Sequence, residues 1–202
     1  MENEISALPP NPFNPGSPVD PIDFVGRIQE LENFKQRLRQ TEKGMLANMA
    51  VAGGYGIGKT SFLHKCKNIA DENDALSIYF SLNEMDKLNR ETLARILIER
   101  LKEKVNEEVI LKKISSTVLN ALKKIKITIN SSIEISIKED SKDSEFPNLH
   151  SALESAWESL KDYKKAIVFF IDEARVLERN SAELILYLRA VLEQLQIKKI
   201  PI

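Results

Sequence analysis

Residues 50–65 read AVAGGYGIGKTSFLHK and contain four of the seven glycines in the chain. Lys59 and Thr60 follow the last of these glycines, so the stretch fits the pattern G-x-x-x-x-G-K-[ST]. A short apolar run at 45–52 precedes it and predicts a buried strand, and the apolar spacing over 59–70 predicts a helix. A strand, a glycine-rich loop and a helix in this order are the context that this phosphate-binding pattern requires.

The residue types of this loop suit a triphosphate. Residues without side chains allow the backbone to bend sharply and to turn several N–H groups toward one anion. The following helix adds unpaired N–H groups and the positive end of its dipole. We expect Lys59 to reach the β- and γ-phosphates and the Thr60 hydroxyl to ligate Mg²⁺. The residues predicted to bind the nucleotide here are Gly53, Gly54, Tyr55, Gly56, Ile57, Gly58, Lys59, Thr60 and Ser61, with Tyr55 and Ile57 at positions to which the pattern assigns no chemistry.

A second motif, AIVFFIDEA at 166–174, predicts a buried strand that ends in two acids. Ligands of open parallel sheets bind at the carboxyl ends of the strands. We therefore expect Asp172 to hold Mg²⁺ through water and Glu173 to polarise the attacking water. The chain lacks N-K-x-D, the pattern that recognises guanine, so ATP is the favoured nucleotide.

Alternating strand and helix patterns predict an α/β fold: a three-layer P-loop NTPase with a mostly parallel sheet and helices on both faces. A strand is predicted at 75–82, and Asn89 is a predicted helix N-cap. Asn180 and Glu183 are expected to form a capping box for the last helix. Further helices are predicted from near Ile28, at 108–123, and around Leu149, Leu153, Trp157 and Leu160.

Two segments differ from this alternation. Residues 1–23 are rich in proline and predict an extended arm, which leaves 24–202 as the ATPase core. Isoleucines alternate with polar residues over 125–137, which predicts a small β-hairpin within an insertion at about 108–145. The hairpin could contact DNA or a partner protein, or it could be an edge ribbon packed on helices.

Composition narrows the class of protein. The net charge of -1 gives no whole-chain argument for binding nucleic acid or an anionic membrane. A single cysteine, Cys66, cannot form an internal disulfide, which fits a reducing compartment. The first twenty residues lack the basic start and apolar run of a secretory signal. We expect a cytoplasmic protein without a membrane partner.

Three segments, NPFNPGSPVDPIDFVGRIQEL, GGYGIGKTSFL and IVFFIDEA, together resemble AAA+-related ATPases grouped around the archaeal origin-recognition initiators and the STAND signalling ATPases. The resemblance implies that Phe24, Val25 and Gly26 flank the adenine and that Arg27 and Glu30 fix the turn beside it. The alternative is a loop that simply packs against the first helix. The resemblance also implies that Asn83 can contact the catalytic Glu173, although a turn-forming or capping asparagine is the simpler interpretation.

The resemblance also implies parts beyond Ile202: most of a sensor strand, an arginine finger, a helical lid and a C-terminal domain. We expect KKIPI, at 198–202, to begin the sensor strand, which in the family lies between the phosphate-loop strand and the acid-bearing strand. Hydrolysis by the present chain is therefore expected to be weak. The favoured function is a Mg-ATP-dependent switch that self-associates or binds a partner protein. The alternatives are an initiator or loader that acts on DNA, and a non-catalytic interaction module that keeps the nucleotide site for ordering alone.

Overall fold

The computed structural model describes residues 17–82, 88–110, 149–174 and 181–202. The described part of the chain forms five helices and two strands, and the sequence predicts each of these seven elements close to its observed position. The elements are α1 Ile28–Thr41, α2 Lys59–Glu72, β1 Ala75–Ser81, α3 Arg90–Ile110, α4 Leu149–Leu160, β2 Ala166–Asp172 and α5 Ser181–Ile197. The predicted hairpin at 125–137 and most of the predicted helix at 108–123 lie outside the described residues.

The two strands pair in parallel, with Ala75 opposite Ala166 and Ser81 opposite Asp172. Side chains alternate between the two faces of a strand, so each face has its own apolar cluster. One cluster joins the sheet to α3, α4 and α5 and includes Leu76, Ile78, Phe80 and Ile167. The other joins it to α1 and α2 and includes Phe34, Phe62, Ala75, Ala166 and Phe170. The α/β class and the parallel pairing are confirmed, and the described residues show two strands of the sheet.

Helix α3 begins where the sequence predicts. The backbone N–H of Thr92 donates a hydrogen bond of 2.8 Å to Oδ1 of Asn89, so Asn89 caps the helix. The capping box proposed for α5 includes Asn180, which lies outside the described residues. Its other member, Glu183, forms an ion pair of 2.7 Å with Arg90. The start of α5 is therefore joined to the start of α3.

The prediction of a buried strand at 45–52 is wrong. This segment has no strand structure, and the side chain of Met45 is 49% exposed. Its polar groups bond to α1 instead of to a neighbouring strand: the N–H of Met45 donates to the carbonyl of Gln40 at 3.0 Å. Arg37 likewise donates to the carbonyl of Asn48 at 2.6 Å. An apolar run forms a strand only when another strand satisfies its backbone groups, and hydropathy does not report that.

The segment 199–202 lies beside β2. The N–H of Ile167 donates to the carbonyl of Pro201 at 2.9 Å. The N–H of Leu82, which follows β1, donates to the carbonyl of Asp172, so the backbone groups of Asp172 face β1. Consecutive residues of a strand direct their N–H and C=O groups to opposite edges, so the N–H of Ile167 faces the other way. Pro201 therefore lies on the edge of β2 away from β1. On its other side this segment approaches Gly44, where an added Cβ would lie 2.5 Å from the carbonyl oxygen of Lys199.

The described end of the proline-rich arm turns and packs on α2 instead of extending. Asp20 accepts hydrogen bonds from the N–H groups of Ile22 and Asp23, which closes a turn. Lys65 of α2 donates to the carbonyl of Pro21 at 2.7 Å. The arm therefore lies against the helix that follows the glycine-rich loop.

Among the described residues, no helix is both long enough and apolar enough to cross a membrane.

Candidate functional site

The glycine-rich loop leads directly into α2. Gly56 and Gly58 have φ values of 77° and 79°, in the left-handed region that favours glycine, and Gly58 is the residue before the helix. The Lys59 ammonium reaches back over the loop and donates to the carbonyls of Gly53 and Gly54, at 3.1 and 2.7 Å. A lysine ammonium has three N–H donors, so one remains for an anion. The loop thus carries a fixed positive charge beside the N-terminus of a helix.

The remaining positions of the loop differ in their surroundings. Tyr55 is 95% exposed and Ile57 is also exposed, so neither side chain belongs to the packed core. Ser61, predicted to bind the nucleotide, is buried, and its hydroxyl accepts a hydrogen bond of 3.0 Å from the N–H of Val19. The structure therefore places the Ser61 side chain against the arm.

The loop and the acid-bearing strand meet at one hydrogen bond. The hydroxyl of Thr60 donates to Oδ2 of Asp172 at 2.8 Å, although the two residues are 112 positions apart. A hydroxyl and a carboxylate are both oxygen ligands, which Mg²⁺ prefers, and Mg²⁺ usually takes only one or two carboxylates and keeps several waters. This pair therefore fits a magnesium site next to the phosphate loop.

The Asp172 carboxylate is held by three donors. Oδ2 accepts from the hydroxyls of Tyr79, at 2.7 Å, and Thr60, and Oδ1 accepts from the N–H of Glu173 at 2.8 Å. Burial, the largest influence on this group, raises its pKa, but the bonds from Tyr79, Glu173 and Thr60 together hold the pKa below its usual value. Burial and the bond to Asp172 raise the pKa of Tyr79, so its hydroxyl remains a donor.

Glu173 follows β2 in an unusual conformation. Its φ is 49°, in the left-handed region that glutamate seldom adopts, and the residue is exposed. Such a conformation is uncommon for a residue with a long side chain and is concentrated at functional sites. The strand therefore places a buried acid and an exposed acid side by side at its carboxyl end.

The segment 24–27 contacts the glycine-rich loop through Arg27 and the helix α2 through Arg27 and Phe24. The guanidinium of Arg27 donates to the carbonyl of Ile57 and lies 5.7 Å from the ring centre of Phe62. Phe24 packs on the same Phe62 ring, with 6.3 Å between the ring centres. Val25 is exposed and Gly26 has a φ of 85°.

The adenine-pocket role of these four residues stays a prediction, and the contacts to Phe62 also fit a loop packed on the first helices. Glu30 lies exposed in the first turn of α1. Asn83, the predicted partner of Glu173, lies outside the described residues.

The sequence analysis did not identify Tyr79, whose hydroxyl donates a hydrogen bond to Asp172 in the site. The signal is the alternation in β1, where Ser77, Tyr79 and Ser81 share one face and Leu76, Ile78 and Phe80 share the other. That alternation separates a more polar face from an apolar one. It does not show that the polar face meets Asp172, because this depends on the register between β1 and β2.

Comparison with known proteins identifies a family for this chain. A family model described as an AAA ATPase domain matches residues 23–200. The match includes the segment 24–27, the glycine-rich loop, Asp172 and Glu173. No curated protein and no solved structure matches the chain.

Proposed function

Because the chain belongs to the AAA ATPase domain family, we propose that it is a Mg-ATP-dependent molecular switch that binds and hydrolyses ATP. Family membership itself supports a P-loop α/β fold, nucleotide binding and ATPase activity. The observation that carries the proposal is the hydrogen bond between Thr60 and Asp172, which joins the phosphate loop to the acid-bearing strand. We further propose that the two described strands belong to the three-layer sheet typical of such domains.

Phosphate binding is proposed for the loop and for Lys59. The Lys59 ammonium is positioned by the carbonyls of Gly53 and Gly54, and it brings a positive charge to the N-terminus of α2. Both features favour an anion. The loop backbone from Gly53 to Gly58 supplies N–H donors in a chain that glycine allows to turn sharply.

Thr60 and Asp172 would hold Mg²⁺, Thr60 directly and Asp172 through water. When bound, the ion supplies positive charge that stabilises the developing charge on the phosphates. The Asp172 carboxylate offers the oxygen ligands that Mg²⁺ prefers, and its lowered pKa keeps it ionised near neutral pH. Glu173 is proposed to orient and deprotonate the attacking water, because it is the exposed acid next to Asp172.

The switch is the function common to the two roles that the sequence resemblance implies. An initiator that acts on DNA and a signalling ATPase that assembles with other proteins both use bound nucleotide to select a conformation. We propose self-association or binding of a partner protein as the output. DNA as the target is the alternative, and an interaction module without catalysis is a second alternative.

The test is a titration of ATP, with Mg²⁺ and with a chelator, into the parent protein, Asp172→Asn and Asp162→Asn. Asp162 is an exposed aspartate in the turn after α4 and serves as the matched control. We expect Mg²⁺ to tighten ATP binding to the parent and the control, and Asp172→Asn to lose at least about tenfold of that gain. Equal Mg²⁺ dependence in all three proteins would contradict the proposed metal site.

A further inference from the structure

The Tyr79 side chain lies on the same face of the sheet as Asp172. Tyr79 is opposite Phe170 in the parallel pair, and Asp172 is two residues further along β2. Residues two apart on a strand point to the same face. The tyrosine ring is long enough to pass Phe170, and its hydroxyl donates to Oδ2 of Asp172 at 2.7 Å.

A carboxylate has about four lone-pair positions. Three are used here: Tyr79 and Thr60 take both positions on Oδ2, and the N–H of Glu173 takes one on Oδ1. The remaining position is therefore on Oδ1. A carboxylate held at both oxygens cannot rotate freely, so the remaining lone pair keeps a fixed direction.

Tyr79 differs from the other two donors. Thr60 is itself proposed to ligate Mg²⁺, and the N–H of Glu173 belongs to the residue proposed to act on water. Tyr79 belongs to β1, and so to neither the glycine-rich loop nor β2. It therefore holds Asp172 through a strand that need not move when the loop binds a nucleotide.

A residue of α2 also packs against the Tyr79 ring and holds it in place. The imidazole of His64 meets it edge to face, with 4.8 Å between the ring centres and 66° between the ring planes. The ring also lines a surface cleft of about 300 Å³ together with Pro21 and His64. The hydroxyl is thus positioned by the helix that begins at Lys59.

We propose that Tyr79 is a positioning residue for the metal site: its hydroxyl fixes the Asp172 carboxylate in the orientation that binds Mg²⁺. The inference rests on the proposed function, because it assumes that Asp172 serves the metal. It predicts that removing the hydroxyl weakens Mg²⁺ binding without weakening the contact between the loop and the phosphates.

The experiment compares Tyr79→Phe with Tyr163→Phe, which removes a hydroxyl from an exposed tyrosine in the turn after α4. Tyr79→Phe keeps the ring that packs on His64. Isothermal titration calorimetry measures ATP affinity in chelator and then across a range of Mg²⁺ concentrations. We expect Tyr79→Phe to raise the Mg²⁺ concentration for half-maximal effect about tenfold, the size expected for a hydrogen bond to a charged group. ATP affinity in chelator should change by less than about twofold, and Tyr163→Phe should match the parent.

A double-mutant cycle adds a direct test of the coupling. In an Asp172→Asn background, Tyr79→Phe should have little further effect on the Mg²⁺ dependence. If Tyr79→Phe lowers only the thermal midpoint and leaves the Mg²⁺ dependence of the parent unchanged, the residue is structural and the inference is wrong. If the parent itself shows no effect of Mg²⁺ on ATP binding, the proposed function fails and the inference fails with it.

Discussion

The N–H of Ile167 donates a hydrogen bond of 2.9 Å to the carbonyl of Pro201, on the edge of β2 that faces away from β1. The same short segment approaches Gly44 with the backbone of Lys199. Residues 199–201 thus lie between β2 and the residue that precedes 45–52. This arrangement fixes the distance between the segment that leads to the phosphate loop and the strand that carries the two acids.

The close approach at Gly44 predicts the effect of a small substitution. Gly44 has a φ of 71°, and an added Cβ would lie 2.5 Å from the Lys199 carbonyl. Gly44→Ala should therefore lower the free energy of unfolding by about 1–3 kcal/mol. The measurement is urea unfolding followed by circular dichroism. Gly54→Ala is the control, because an added Cβ there meets open space. Equal stability of the two variants would show that Lys199 does not lie against Gly44.

Glu173 provides a test that separates chemistry from binding. Glu173→Gln should keep the ATP affinity of the parent, because the side chain is proposed to act on water and not on the nucleotide. Turnover should fall by about 10²–10⁴-fold, the range for loss of a general base. Steady-state phosphate release measures the rate, and Glu99→Gln, at an exposed glutamate of α3, is the matched control.

A Glu173→Gln protein that hydrolyses ATP at the parent rate would exclude Glu173 as the base. If the parent binds ATP and releases no phosphate, the non-catalytic module becomes the better account of the chain.

Cys66 lies in α2, belongs to the apolar cluster between the sheet and the helices α1 and α2, and is almost fully buried. Burial raises the pKa of its thiol from 9.0 to about 12. Reaction with a chromogenic disulfide at pH 8 should thus be at least about 100-fold slower in the native protein than in urea, because the thiol reacts only after opening. Reaction at the unfolded rate would show that α2 does not pack as described.

The same shift predicts a pH dependence of stability. The folded-state pKa of Cys66 is raised, so its contribution is complete below pH 9.0 and is lost as the pH rises toward 12. The stability difference between the parent and Cys66→Ala should therefore shrink over this range. Thermal midpoints of both proteins measured from pH 8 upward test this, and a difference independent of pH would contradict it.

Patterns among residues close together in the sequence were sufficient to predict most of the described helices and strands. Apolar spacing located α1, α2 and α4, and the cap at Asn89 gave the start of α3. These features depend on residues a few positions apart. The buried run at 166–172 also needed no partner to be recognised as a strand, because its composition and its flanking residues are both typical of one.

The failures concern pairing between distant segments. Hydropathy predicted a strand at 45–52, but the N–H of Met45 and the C=O of Asn48 bond to α1 and not to another strand. The role of Tyr79 also depends on distant pairing, because it follows from the register that sets Tyr79 opposite Phe170. In contrast, the pairing of Thr60 with Asp172 could be predicted, since both belong to motifs whose chemistry requires them to meet.

The most direct test of the account is the affinity of the chain for MgATP when Lys59 is removed. The Lys59 ammonium is held over the glycine-rich loop by two backbone carbonyls, and a charge-assisted contact with phosphate is worth about 1.5–3 kcal/mol. Calorimetry on folded Lys59→Ala should show MgATP binding weakened at least about tenfold. Lys67→Ala, which removes the same charge from a partly exposed position of the same helix, should bind as the parent does. Unchanged affinity in Lys59→Ala, or an equal loss in both variants, would contradict the phosphate site on which the proposed switch depends.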